Sequence, residues 1–267
     1  MKKTNPTHQI VIGWLYPELM STYGDRGNIL ILQKRCLWRG IECSIIPIDF
    51  STGPEDISRV NLFFGGGAQD RQQSLLINDL RTRIGPVMKK MIHNGTPGLF
   101  VCGSPQLLGS SYMTGDGTVL KGLEIFDMET KHFGYDKPRC IGNMVFEIDS
   151  TYKLSGIPFR KTIVGFENHG GRTYLGTGVK PFGKVIIGNG NNGEDTTEGA
   201  VYKNCIATYS HGPFLSKNPH IADWILSKTL EVKYGKITRL KKLDDGLEWK
   251  GHEYMLKRLG YEAVTPM

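Results

Sequence analysis

The sequence lacks the marks of several protein classes. It has no run of five or more like charges, which argues against a charged interaction tail. No stretch reaches the roughly 18 consecutive apolar residues of a membrane-crossing helix. No Cys-x-x-Cys pair occurs, and the cysteines are odd in number: Cys36, Cys43, Cys102, Cys140 and Cys205. A disulfide framework and a Cys-rich zinc site are thereby disfavoured. A reducing, cytoplasmic setting is expected. No Gly-Lys-Ser/Thr follows a glycine-rich loop, so we expect no nucleotide cofactor on this chain. No zinc-finger, groove-binding helix or stacking-aromatic pattern points to nucleic acid, and no metal is expected. Internal repeats and low-complexity linkers are also missing.

What is present fits an ordinary folded domain. The 267 residues are 39% hydrophobic, enough for a sizeable core without a covalent staple. Lys plus Arg exceed Asp plus Glu by 33 to 26, a net charge of +7, which reads as a slightly basic face. The opening Met1-Lys2-Lys3 resembles the start of a signal peptide. The apolar stretch after it stops at Pro17-Glu18 without a small-residue cleavage site, and reads better as a buried first strand. We read residues 1–267 as one domain, with 233–267 a C-terminal helical extension.

Hydrophobic periodicity organises the first half as alternating strands and helices. Strands are expected at 9–15, 41–48, 60–64 and 99–101. Helices are expected at 28–38, at 72–92 with Pro86 breaking or restarting the helix, and from 106 to 111. This β-α order implies an open, mostly parallel sheet flanked by helices, with sites beyond the carboxyl ends of the strands. The second half is β-rich (144–148, 162–166, 184–187, 205–209) between Gly/Asn-rich turns, and helical at 220–232 and 248–259. Its strands are read as extending the sheet or forming an antiparallel flap.

Two features fall at strand ends: the Gly65-Gly66-Gly67 triplet and Cys102. The run Gly98-Leu-Phe-Val-Cys102-Gly-Ser-Pro-Gln106 reads as strand, sharp turn and helix start. Such an elbow exposes a nucleophile above the sheet. Gly103 permits the turn, Pro105 suits the first helical position, and the helix N-terminus favours a thiolate. A thiolate attacking an amide creates an oxyanion, for which the backbone N–H of Gly103 and of the 65–67 loop are candidate donors. Asp70 reads as a candidate cap of the following helix. A base is also needed. His211 and His169 both follow strands in Gly-containing turns, and spacing does not choose between them.

These pieces together resemble a known family. Tyr23-Gly-Asp-Arg-Gly-Asn28, Phe63-Phe-Gly-Gly-Gly-Ala-Gln-Asp-Arg-Gln72, Cys102-Gly-Ser-Pro-Gln106 and Tyr209-Ser-His-Gly-Pro213 resemble the class I glutamine amidotransferases of the cobyric-acid-synthase type. Val164-Gly-Phe-Glu-Asn-His-Gly-Gly-Arg-Thr-Tyr174 and Gly188-Asn-Gly-Asn-Asn192 resemble, within that family, the GatD-type glutaminase subunits of lipid II isoglutaminyl synthases. The resemblance implies a flavodoxin-like α/β architecture with Cys102 as nucleophile and His211 as base and later acid. It implies a glutamine site including Arg139, Gly66, Gly67, Gly103 and Gln106, with His169 structural or near glutamine. It also implies a heterodimer with a MurT-like Mur ligase subunit that holds ATP and Mg²⁺, with L-glutamine as substrate. Lipid II would be the acceptor, at the inner face of the membrane.

Two departures stand out. Ser104-Pro105 replaces the family's usual Gly-Tyr at the elbow. Pro213 stands two residues after His211, where many relatives carry a Glu. A Cys-His dyad is therefore expected, or an acid supplied elsewhere in the fold or by a partner. The rival readings are an amidotransferase of cobalamin-type synthesis, a different Cys hydrolase of the same fold, and a non-catalytic module.

Overall fold

A computed structural model of the chain describes residues 8–236 and 239–261. Strand β1 (Gln9–Leu15) leads to helix α1 (Arg26–Leu37), β2 (Glu42–Ile48), the short α2 (Pro54–Ser58) and β3 (Leu62–Gly65). Helices α3 (Asp70–Asp79) and α4 (Gly85–His93) follow, then β4 (Gly98–Val101) and α5 (Gly103–Leu108). The chain continues through β5 (Ser111–Met113), β6 (Val119–Lys121), β7 (Met128–His132), β8 (Cys140–Glu147), β9 (Thr162–His169) and β10 (Gly171–Leu175). It finishes with β11 (Gly183–Ile187), β12 (Thr197–Glu198), β13 (Ala200–Tyr202), β14 (Cys205–Thr208), α6 (Pro219–Tyr234) and α7 (Gly246–Arg258). Residues 237–238 and 262–267 of the expected C-terminal extension lie outside the described residues.

The main sheet runs β13-β14-β4-β3-β1-β2, parallel throughout except for β13. Read from its other edge, the five parallel strands follow the flavodoxin-like 2-1-3-4-5 order, which places a ligand crevice at the carboxyl ends near β1 and β3. Strands β13 and β14 come from the β-rich half yet enter this sheet, β14 beside β4 and β13 at its edge. The remaining strands of that half do not extend it: β5, β6, β7 and β10 form one four-stranded sheet, and β8, β9, β11 and β12 another.

Period-2 alternation explains why the central strands read as unbroken apolar runs. Leu62, Phe64, Leu99, Val101 and Ile206 face one core, and Phe63, Phe100, Cys205 and Ala207 face the other. Both faces are covered by helices or by the accessory sheets, so neither needs polar residues. Each buried Phe contributes roughly 1.5–3 kcal/mol through the water it leaves.

Two helix boundaries are sharpened by the structure. The 72–92 segment restarts at Pro86 rather than breaking there. It passes through one π turn, Leu80–Ile84, and Pro86 lies in the first turn of α4, where its missing N–H costs nothing. The helix after the elbow starts at Gly103 rather than 106 and ends at Leu108. Pro105 is its third residue, still within the turn whose N–H groups have no helical partner.

Helix α7 is fastened by histidines. His220 stacks on Trp249 at 5.2 Å, and the His252 ring bonds Thr162 Oγ1 at 2.9 Å and the Lys217 carbonyl at 2.7 Å. Burial pushes His220 down to about 3 and His252 down to about 4. An unfolded histidine titrates near 6.5. With folded values depressed, the stability from keeping these rings neutral is fully present above about pH 6.5 and is lost as pH falls toward the folded values. Each contributes up to about 1.4 kcal/mol per pH unit in that window. The melting temperature is expected to fall between pH 6.5 and 4.5, and a His220→Gln, His252→Gln double variant to show a shallower fall. An unchanged slope in the double variant would exclude these two rings as the cause.

Candidate active site

The site assembles from four strand ends: the loop after β1, the 65–67 loop after β3, the elbow after β4 and the turn after β14. Cys102 holds φ 53° and ψ −98°, a conformation few L-residues adopt, and its N–H donates to the Thr208 carbonyl at 2.9 Å. Such strain costs roughly 1–3 kcal/mol and persists only where the surroundings enforce it. Ser104 helps do so. Its hydroxyl donates to the Gly66 carbonyl at 2.6 Å and ties the elbow to the glycine loop. The departure at Ser104-Pro105 thus carries a bond of its own.

His211 is 1% exposed, and its backbone N–H bonds the Phe166 carbonyl at 2.8 Å. Its Nδ1 lies 3.0 and 3.1 Å from the two carboxylate oxygens of Asp25. A carboxylate can only accept, so Nδ1 carries the proton and Nε2 is left for another partner. Nε2 is buried without a hydrogen bond in this geometry. Burial opposes protonation, but the charges of Asp25 and then Cys102 outweigh it and push His211 up to about 10. The missing side chain of Gly67 shows how close the three groups lie. A Cβ there would stand 2.9 Å from His211 Cε1, 3.2 Å from Asp25 Oδ2 and 3.5 Å from Cys102 Cβ.

Of the alternatives left open, a dyad or an acid supplied elsewhere, the structure favours the second: an acid of this chain stands beside His211, contributed by the loop that precedes α1. It could have been sought in Tyr23-Gly-Asp-Arg-Gly-Asn28, but 186 residues separate it from His211. Local spacing cannot reveal such a pair. Gly67 is corrected. Its N–H is committed to Asp25 Oδ2 at 2.7 Å, so it does not face an oxyanion. Gly103 packs directly on the Ala68 backbone, its absent Cβ falling 2.6 Å from the Ala68 nitrogen, which brings those two peptide groups together at the elbow.

A cavity of about 450 Å³ opens above Cys102. Gln106, Arg139, Asp70 and His169 all line it. Gln106 is buried, accepting from Gln73 at 2.8 Å and donating to the Tyr209 hydroxyl at 3.2 Å. Arg139 is exposed at the rim, forked onto Asn168 with Nε and Nη2 at 3.2 and 3.0 Å from Oδ1. His169 stacks on Tyr209 at 3.7 Å, and its Nδ1 bonds the Gly171 carbonyl. Burial holds His169 below the ordinary histidine range. Asp70 does not cap α3, for Gln69 holds that position and no side chain caps the helix.

A cysteine at a strained elbow beside a buried His–Asp couple, over a flavodoxin-like sheet, is the layout of a glutamine amidotransferase site. The sequence agrees: residues 11–219 match the CobB/CobQ-like glutamine amidotransferase domain, and the chain belongs to that family. It is 38% identical to the lipid II isoglutaminyl synthase (glutamine-hydrolyzing) subunit GatD of Staphylococcus aureus strain N315, over 94% of this chain and 96% of that one. It is 37% identical to the subunit of the same name from Streptococcus pneumoniae, over 91% of this chain and 89% of that one. In fold it is similar to a solved structure of PurLQS from Thermotoga maritima, with a TM-score of 0.55 at 14% identity, over 86% of this chain and 99% of that one. Among the described residues no helix is long and apolar enough to cross a membrane.

Proposed function

We propose that this chain is the glutamine-hydrolysing subunit of a lipid II isoglutaminyl synthase. The observation that carries the reading is the similarity to two subunits of that name along nearly the whole chain, together with the Cys102, His211 and Asp25 arrangement. His211 Nε2 takes the Cys102 thiol proton, and the thiolate attacks the side-chain carbonyl of glutamine. The Gly103 and Ala68 N–H groups are the donors proposed for the oxyanion. The imidazolium, stabilised by Asp25, gives its proton to the departing ammonia. Water then frees glutamate from the Cys102 thioester. Arg139 is proposed to grip the glutamine α-carboxylate, a task suited to its planar fork.

Ammonia released into water is wasted, so the reading requires an acceptor enzyme. A MurT-like ligase partner would bind ATP and Mg²⁺ and activate the D-glutamate α-carboxylate of the lipid II stem peptide. This chain would supply the nitrogen. A diazo-ketone analogue of glutamine is expected to alkylate Cys102, seen as an adduct by mass spectrometry and missing from Cys102→Ala. Failure to label, even with the ligase partner co-expressed, would sink the glutaminase reading.

A further inference from the structure

The cavity above Cys102 holds a charge that the steps above do not use. Among its lining residues Asp70 is the only carboxylate, set against the cations Arg71 and Arg139. Its side chain is anchored by groups distant in sequence. Oδ1 accepts from the Tyr112 hydroxyl at 2.6 Å, and Oδ2 accepts from the Gly115 N–H at 2.9 Å and the Tyr135 hydroxyl at 3.1 Å. An ionised carboxylate offers about four lone-pair sites, so three donors leave room for one more. The position also spans the site. Tyr112 feels the charges of both Asp70 and Cys102, and His132 those of both Asp70 and Arg139.

Glutamine has matching chemistry. When its amide reaches Cys102, its α-carbon must present an ammonium and a carboxylate to the same cavity. An ammonium leaving water needs an anionic partner, and the cavity wall offers one. We propose that Asp70 accepts the α-ammonium of the free amino acid, opposite the carboxylate grip of Arg139. The site then selects free L-glutamine over amides that lack an α-ammonium, peptide-bound glutamine included. The proposal rests on the glutaminase reading and adds the specificity determinant to it.

Calorimetry on the full chain carrying Cys102→Ala tests it, with L-glutamine and glutaramate, the same amide without the α-ammonium, as ligands. Glutaramate is expected to bind about 30-fold more weakly or worse, the scale of losing one partner of a bonded charge pair. Asp70→Asn on this background is expected to erase the difference by weakening glutamine alone. Equal binding of the two ligands by the protein with Asp70 intact would overturn the proposal without any variant at Asp70. So would an Asp70→Asn variant that weakens both ligands by the same factor, since Asp70 would then only brace Tyr112 and Tyr135. Failure of the glutaminase reading itself looks different: neither ligand binds, and the diazo-ketone leaves Cys102 unlabelled.

Discussion

Replacing Asp25 with alanine is expected to lower the rate of glutamine hydrolysis about 10⁴-fold, the scale seen when the orienting acid of a triad is removed. Three consequences of the change add up. The imidazole loses the acceptor at 3.0 Å that fixes its tautomer, and the imidazolium loses its counter-charge. Gly67 loses the acceptor of its N–H, so the glycine loop beside the elbow loosens. The pH profile separates these electrostatic losses from simple unfolding. Asp25 is the leading influence raising His211 to about 10, against the opposing effect of burial. Without it the imidazolium gives up its proton at lower pH, and the alkaline limb of activity is expected to move down. Asp25→Asn keeps the shape and lacks the charge, so it is expected to share that shift. A loss under tenfold in both variants, with an unmoved alkaline limb, would return the site to a Cys-His dyad.

Arg35→Ala is expected to cost about 3–5 kcal/mol of stability, the usual penalty for leaving buried charges without their partner. Arg35 is 1% exposed, and its guanidinium spans two acids. Nε bonds Asp223 at 2.8 Å, while Nη1 and Nη2 bond Asp245 at 2.6 and 3.0 Å. Burial alone would lower the pKa of Arg35, and the bonds to Asp245 and Asp223 raise it instead, so the guanidinium stays charged. Arg39 shares Asp223 at 2.7 Å. The cluster stitches α1 to α6 and to the residue preceding α7, and α1 begins directly after Asp25. For a chain of this size the loss corresponds to a fall in melting temperature of roughly 6–20 °C, readable by differential scanning calorimetry. A fall under about 3 °C would show that the cluster holds little of the fold.

The two predictions draw on different layers of information. Elements were legible wherever the apolar pattern was local. Strand β1 falls on the expected 9–15, and β14 within the expected 205–209, because a period of two over buried β-branched and aromatic residues leaves little choice. Cys102 was legible because an elbow is a local object: strand, residue at positive φ, glycine, helix. The boundaries of α5 and the π turn were not, since the first turn of a helix tolerates proline wherever tertiary contacts want it.

The sequence by itself determined the α/β class and the family and singled out Cys102 at its elbow, all carried by short contiguous motifs whose chemistry is readable in place. The tertiary structure alone decided that Asp25 stands against His211, and that Asp70 lines the cavity instead of capping α3. It also decided that Gly67 serves Asp25 rather than the oxyanion. Each of these depends on a contact spanning from 42 to 186 residues of chain, set by the order in which parallel strands join the sheet, and adjacency of that kind leaves no local pattern to read.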